Sequence, residues 1–194
     1  MVFEERAYKT LVVSSSEKFN DNLSPVLGNG KCNPITWVDS IAAAKRMILE
    51  NVFDYVIINT PLPDELGVKF AIDLSENKNL VCLILVRSEL YPEIKAKVTP
   101  YGAYTLSKPT SGVAISQALD FCAATRERLR GFEKKTLSIE GKMEEIRLVN
   151  RAKWLLIENM RLTEPEAHKY IEKKAMNLCI SKTDVAREII KNYP

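Results

Sequence analysis

Histidine is nearly missing from this chain: His168 stands alone among 194 residues. That leaves no material for a histidine-rich metal site and removes the usual side chain of general acid–base catalysis. The four cysteines (Cys32, Cys82, Cys122, Cys179) are far apart and form no Cys-x-x-Cys pair; Cys82 lies in an apolar strand-like run, and Cys122 and Cys179 in helical patterns. They are expected to be reduced structural thiols rather than ligands or redox centres. Seven glycines nowhere gather into a phosphate-binding loop, and no nucleophile–base pair stands out, so neither an enzymatic activity nor a cofactor or metal is expected. No apolar run reaches the ~18 residues a membrane span needs. The amino terminus, MVFEERAYK, carries acids where a secretory leader has a basic region and a long apolar stretch. A cytoplasmic protein without membrane contact is therefore expected.

What the chain does have is an ordinary globular content of 46% hydrophobic residues and a length that suits two small domains of about 100–150 residues or less. Charge is unevenly shared. Residues 1–124 hold 12 Lys/Arg against 14 Asp/Glu, a balance of −2, whereas residues 125–194 hold 16 against 11, a balance of +5. A basic half joined to a weakly acidic one hints that the basic half meets a polyanion.

In the first half, apolar β-rich runs at 10–14, 35–39, 54–59, 80–86 and 103–107 alternate with helical patterns at 16–26, 41–52, 64–76, 89–98 and from 110 onward. Strict alternation with near-continuous apolar strands predicts a five-stranded parallel sheet covered on both faces, a doubly wound flavodoxin-like α/β fold. Asn59, Pro63 and Gly67, followed by Lys108-Pro109, keep the spacing of response-regulator receiver domains, which this half resembles. In that family an Asp occupies the position of Asn59 and is the phosphoacceptor. A pair of acids stands where Ser14 and Ser15 stand here and binds Mg²⁺. The switch hydroxyl after the fourth strand falls at Val86, Arg87 or Ser88. An amide and two hydroxyls supply neither a hard-cation site nor a nucleophilic carboxylate. A pseudo-receiver is expected, with Lys108 retained as a hydrogen-bond partner of Asn59.

After Pro109 the pattern stays helical. Cys122, Thr125, Leu129, Phe132, Thr136, Ile139, Met143 and Ile146 follow alternating spacings of three and four, a heptad seam that predicts a parallel dimeric coiled coil. Its apolar members are Leu129, Phe132, Ile139, Met143 and Ile146. A single long helix folded back on its own domain is the alternative. Gly131 and Gly141 weaken the helix by roughly 1 kcal/mol each relative to Ala.

The end of the chain reads as three helices. Thr163-Glu164-Pro165-Glu166 is a capping box opening the second, and Ser181 with Asp184 caps the third. Ala167, Tyr170, Ile171, Ala175 and Leu178 are expected to form the buried face of the second helix, and Val185, Ala186, Ile189 and Ile190 that of the third. Ala152-Lys153 with Leu155 and Leu156, the acid-rich turn before Ala167, then Ala175-Met176 and Val185-Ala186 occur in the order found in the ANTAR domain. Residues 139–191 resemble that small all-α RNA-binding module of bacterial antiterminators. Trp154 departs from the family's usual Gly; it is read as a plug of the bundle core, with a base-stacking platform as the alternative.

The resemblance implies binding to a nascent transcript bearing two small hairpins, one bundle per hairpin, so that a homodimer stabilises an antiterminator. Candidate RNA contacts are Arg151, Lys153, Lys173, Lys174, Asn177, Lys182 and Thr183, with Lys153 carried over from the family motif. A regulatory protein partner or dimerisation would replace phosphate as the signal. The expected organisation is a pseudo-receiver at 1–124, a coiled-coil connector at 125–150 and an ANTAR domain at 139–194. The competing classes are a DNA-binding response regulator and a protein-interaction regulator that ignores nucleic acid. Against the first, the link NLCIS between the last two helices lacks the Gly of a tight turn, and Asp184 and Glu188 sit in the would-be recognition helix.

Overall fold

The computed structural model describes residues 6–28, 32–77 and 79–193. In chain order these form β1 (Tyr8–Val13), α1 (Glu17–Leu27), β2 (Cys32–Val38), α2 (Ile41–Glu50), β3 (Tyr55–Asn59), α3 (Val68–Asn77), β4 (Val81–Arg87), α4 (Tyr91–Val98), β5 (Tyr104–Lys108), α5 (Gly112–Met160), α6 (Glu164–Leu178) and α7 (Lys182–Asn192). The chain divides into two compact units between Gly131 and Phe132, inside α5.

In the first unit the five strands are parallel, in the order β2-β1-β3-β4-β5. The period-two alternation of strand side chains sends each strand's apolar residues to both faces. Val56 and Ile58 of β3 and Cys82, Ile84 and Val86 of β4 join one core with Ile41, Phe70 and Ile94 from α2, α3 and α4. Tyr55, Ile57, Val81, Leu83 and Leu85 join the other with Leu23 of α1 and Ile115, Leu119 and Cys122 of α5. The predicted doubly wound α/β fold is the observed one. Pro34, which has no N–H to donate, lies in the edge strand β2, where the register with β1 shifts between Tyr8–Cys32 and Thr10–Ile35.

The spacing of Asn59, Pro63 and Gly67 has a visible structural reason. Gly67 has φ +73°, and a Cβ there would lie 3.0 Å from the Ile58 side chain, so this turn requires glycine. Between Pro63 and Gly67, Asp64 accepts hydrogen bonds from the backbone N–H groups of Ile41 (3.2 Å) and Ala42 (2.9 Å), capping α2 from a neighbouring loop.

The early seam residues of α5 are occupied. Cys122 is buried in the sheet's second core, Leu129 packs against the same core, and Thr125 exchanges a 2.7 Å hydrogen bond with the Tyr104 hydroxyl. The heptad spacing there reflects a helix lying on its own sheet, since both arrangements need the same apolar stripe. From Phe132 onward the stripe is exposed: Ile139, Met143 and Ile146 are 58%, 56% and 59% exposed.

In the second unit the core is built of Ala152 and Leu156 from α5, Ala167, Ile171 and Ala175 from α6, and Val185, Ala186 and Ile189 from α7. Four of these eight are alanines, which let the helices approach closely. Both predicted caps form. At the start of α6, Glu166 Oε2 accepts from the Thr163 N–H at 2.8 Å and from the Thr163 hydroxyl at 2.7 Å. At α7 the Asp184 N–H donates to Ser181 Oγ at 3.0 Å.

Three expectations are corrected here. Trp154 is 65% exposed and plugs no core, because Ala152 and Leu156 already occupy the helix face turned toward α6 and α7. Tyr170 and Leu178 are exposed, so the buried stripe of α6 is the narrower Ala167–Ile171–Ala175 set. Cys179 is not helical: it ends α6 at φ +52°, a left-handed position usually filled by glycine, and is exposed.

Candidate functional site

The parallel sheet places one end of every strand at the same edge, so side chains ending β1, β3 and β5 converge. Ser14 follows β1, Asn59 ends β3 and Lys108 ends β5. The Asn59 amide donates to Ser14 Oγ at 3.0 Å, and the Lys108 ammonium donates to Asn59 Oδ1 at 2.7 Å and to the Thr60 carbonyl. An amide both donates and accepts, so Asn59 can bridge a hydroxyl and an ammonium where a carboxylate would only accept. The expected Lys108–Asn59 bond is present. Ser14 and Asn59 are buried, whereas Ser15 is exposed and outside this chain of bonds.

Burial lowers the Lys108 pKa, and the nearby Arg87 charge lowers it further. Of the three switch positions, Val86 is buried in the sheet core. Ser88 donates to the Lys108 carbonyl at 2.6 Å and accepts from the Ser107 hydroxyl at 3.3 Å. No group of three or more Asp, Glu, His or Cys able to hold a metal occurs among the described residues. Beside Asn59 and Lys108 opens a crevice of about 810 Å³, walled by α1 and the first turns of α5.

On the second unit, successive turns of α6 carry Tyr170, Lys173, Lys174, Asn177 and Leu178 at helical spacing, and these line a shallow groove of about 350 Å³. Three of the sequence-derived candidates, Lys173, Lys174 and Asn177, thus fall on one face. The others do not line it. Arg151 is exposed on α5. Lys153, its side chain only 14% exposed, donates to Glu164 at 2.9 Å. Lys182 pairs with Glu172 at 2.5 Å, and Thr183 is half-buried in the first turn of α7. Lys174 is also paired, with Glu188 at 2.9 Å, and that bond raises its pKa.

Sequence reasoning missed Tyr170 as a surface residue because it placed it in the core. The signal was present in its spacing to Lys173, Lys174 and Asn177, which puts all four on one helix face. The exposed Trp154 and Met176 add apolar surface to this basic unit.

An ANTAR domain matches residues 138–190. The chain is similar to the transcriptional regulatory protein PdtaR of Mycobacterium tuberculosis, 24% identical over 139 residues that cover 71% of this chain and 67% of that protein. Among solved structures, the signal receiver domain of an HD-domain-containing protein from Pseudomonas fluorescens Pf-5 aligns with a TM-score of 0.58. Its identity is 19%, and the match covers 68% of this chain and 96% of that one. NtrX from Brucella abortus also aligns at 0.58, with 15% identity over 66% of this chain, which spans only 29% of that longer protein. At these identities the structural likenesses establish the receiver fold and no more. No helix of the described residues is long and apolar enough to cross a membrane.

Proposed function

We propose that this chain, an ANTAR-type response regulator that joins a receiver-fold domain to an ANTAR domain, works as a dimeric cytoplasmic antiterminator that binds hairpin RNA. The role is regulatory and not catalytic. The observation that carries the reading is the match to the ANTAR domain over 138–190, a segment that coincides with a helical unit having its own small core.

The surface of that unit supports RNA as the ligand. Sequence-specific RNA readers stack exposed loop bases on aromatic side chains and neutralise phosphate with Lys and Arg. The α6 groove combines Tyr170 with Lys173, Lys174 and Asn177, and Trp154 and Arg151 are exposed on α5. Lys153 and Lys182 would reach phosphate only by giving up Glu164 and Glu172, whose side chains are 71% and 40% exposed; a pair with so solvated a partner costs little to break. Thr183 adds a hydroxyl at the start of α7. In this reading each bundle takes one hairpin, and the exposed Ile139–Met143–Ile146 stripe pairs two chains. Control comes from the first unit without aspartyl phosphate, through dimerisation or a regulatory partner.

The test is binding of the purified chain to a leader RNA with two hairpins at two salt concentrations, with duplex DNA as competitor. The expected result is salt-sensitive binding that DNA does not displace. Lys173→Ala should lower the salt slope by about 0.7, and Tyr170→Ala should weaken binding by about 1–3 kcal/mol if the ring stacks on a base. Equal displacement by DNA would favour a DNA-binding regulator. Absence of any RNA binding would leave a protein-interaction regulator.

A further inference from the structure

The crevice beside Asn59 has a lining that fits neither a metal nor a phosphoryl-transfer centre. Three cations, Lys18, Arg87 and Lys108, face it, and none of its lining residues is an Asp or Glu. Both polar partners of the Lys108 ammonium are neutral oxygens, Asn59 Oδ1 and the Thr60 carbonyl, so its charge has no counter-ion there. Arg87 is near enough to disfavour that charge further. Among the described residues neither Lys18 nor Arg87 has an ion-pair partner, and both are exposed at the rim.

Like charges gathered without a carboxylate repel one another, and an anion placed among them removes the repulsion while gaining charge-assisted hydrogen bonds. A divalent cation would meet only amide, hydroxyl and carbonyl oxygens amid positive charge, the opposite of what it needs.

The other wall of the crevice is apolar. Leu23 and Ile115 belong to the buried core between α1, α5 and the sheet, yet also line the cavity, and Phe19 lies beside them. A volume of about 810 Å³ lies within the range typical of small-molecule sites. It is far larger than inorganic phosphate alone would fill.

We propose that this crevice binds a small organic anion, a carboxylate or phosphate-type head on an apolar body. The head sits among Lys18, Arg87 and Lys108, and the body lies against Phe19, Leu23 and Ile115. Binding is non-covalent, with no bond made or broken. The proposal deepens the reading of the first unit as a phosphate-independent sensor and rests on it, because the anion takes the place that a phosphorylated carboxylate would hold. An occupant touches α1 and the opening turns of α5 together, so its presence changes how firmly these two helices are held at that edge.

The experiment is isothermal titration of the full chain with four probes: phenylphosphonate, whose P–C bond cannot transfer phosphate, benzoate, inorganic phosphate and neutral benzamide. Phenylphosphonate or benzoate is expected to bind, benzamide not to bind, and inorganic phosphate to bind more weakly than phenylphosphonate. The Lys18→Ala/Arg87→Ala double variant, whose lost side chains are exposed, should melt as the parent does. It should bind the preferred anion at least about tenfold more weakly, the loss of one hydrogen bond to a charged group.

No heat from either organic anion at millimolar concentration, or equal affinity in the double variant, would overturn the proposal. So would inorganic phosphate binding as tightly as phenylphosphonate. Failure of the phosphate-independent reading would register separately, as a covalent phosphate found by mass spectrometry after acetyl phosphate treatment.

Discussion

Asp54 shows how one residue can matter for reasons its neighbours in sequence do not reveal. It precedes β3, is nearly buried, and accepts hydrogen bonds from Arg126 Nε at 2.9 Å, Arg130 Nη2 at 2.8 Å and the Lys9 backbone N–H at 3.0 Å. Burial pushes its pKa up, but the bonds from Arg126 and Lys9 and the charges of both arginines outweigh that and leave it lowered. A carboxylate with a lowered folded pKa stabilises the fold above its unfolded value, near 3.8. That contribution is lost as pH falls below it toward the folded value. Asp54→Asn is expected to destabilise the first unit by about 3 kcal/mol at neutral pH, since it leaves two arginines under-compensated. It should also flatten the acid limb of the stability–pH curve below about pH 4. Denaturant melts between pH 2.5 and 7 would show this, and parallel curves for variant and parent would count against the assignment.

At the scale of the element, α5 is the decisive case. Its seam pattern runs unbroken from Cys122 to Ile146, but Cys122 and Leu129 serve the sheet while Ile139, Met143 and Ile146 are exposed. The Asp54 bonds to Arg126 and Arg130 fall in the stretch that lies on the sheet. A dimer built on this helix should therefore depend on the residues after Gly131 and not on those before it. Ile139→Glu with Ile146→Glu is expected to weaken self-association at least about a hundredfold, since four isoleucine side chains leave the interface. Sedimentation equilibrium measures this directly. A parent chain that is monomeric at tens of micromolar would remove the premise.

The whole molecule is a receiver fold with Ser14, Asn59 and Lys108 at one edge of its sheet, followed by a basic helical unit. By the receiver resemblance, aspartyl phosphorylation needs a carboxylate at Asn59 and a pair of acids at Ser14 and Ser15, and the sequence has an amide and two hydroxyls there. Acetyl phosphate with Mg²⁺ is expected to leave the intact mass of the chain unchanged and its RNA affinity within about twofold, a shift of under 0.5 kcal/mol. A mass gain of one phosphate, or a larger change in affinity, would overturn the phosphate-independent reading.

The resemblance to receiver domains pointed to the Asn59–Lys108 contact, and the sequence by itself determined the alternation of strands and helices, the two faces of the sheet and the helix caps at Thr163 and Ser181. These depend on local periodicity and fixed spacing, which a chain carries wherever it folds. Only the tertiary structure decided which half of the α5 stripe the sheet consumes and that Trp154 and Tyr170 face outward. It also paired Arg126 and Arg130 with Asp54, more than 70 residues away, and gathered Lys18, Arg87 and Lys108 around one crevice. An apolar stripe states that a face will be covered without saying by what. A charge in sequence carries no record of the distant charge it will meet, because that meeting is set by how helices settle on the sheet.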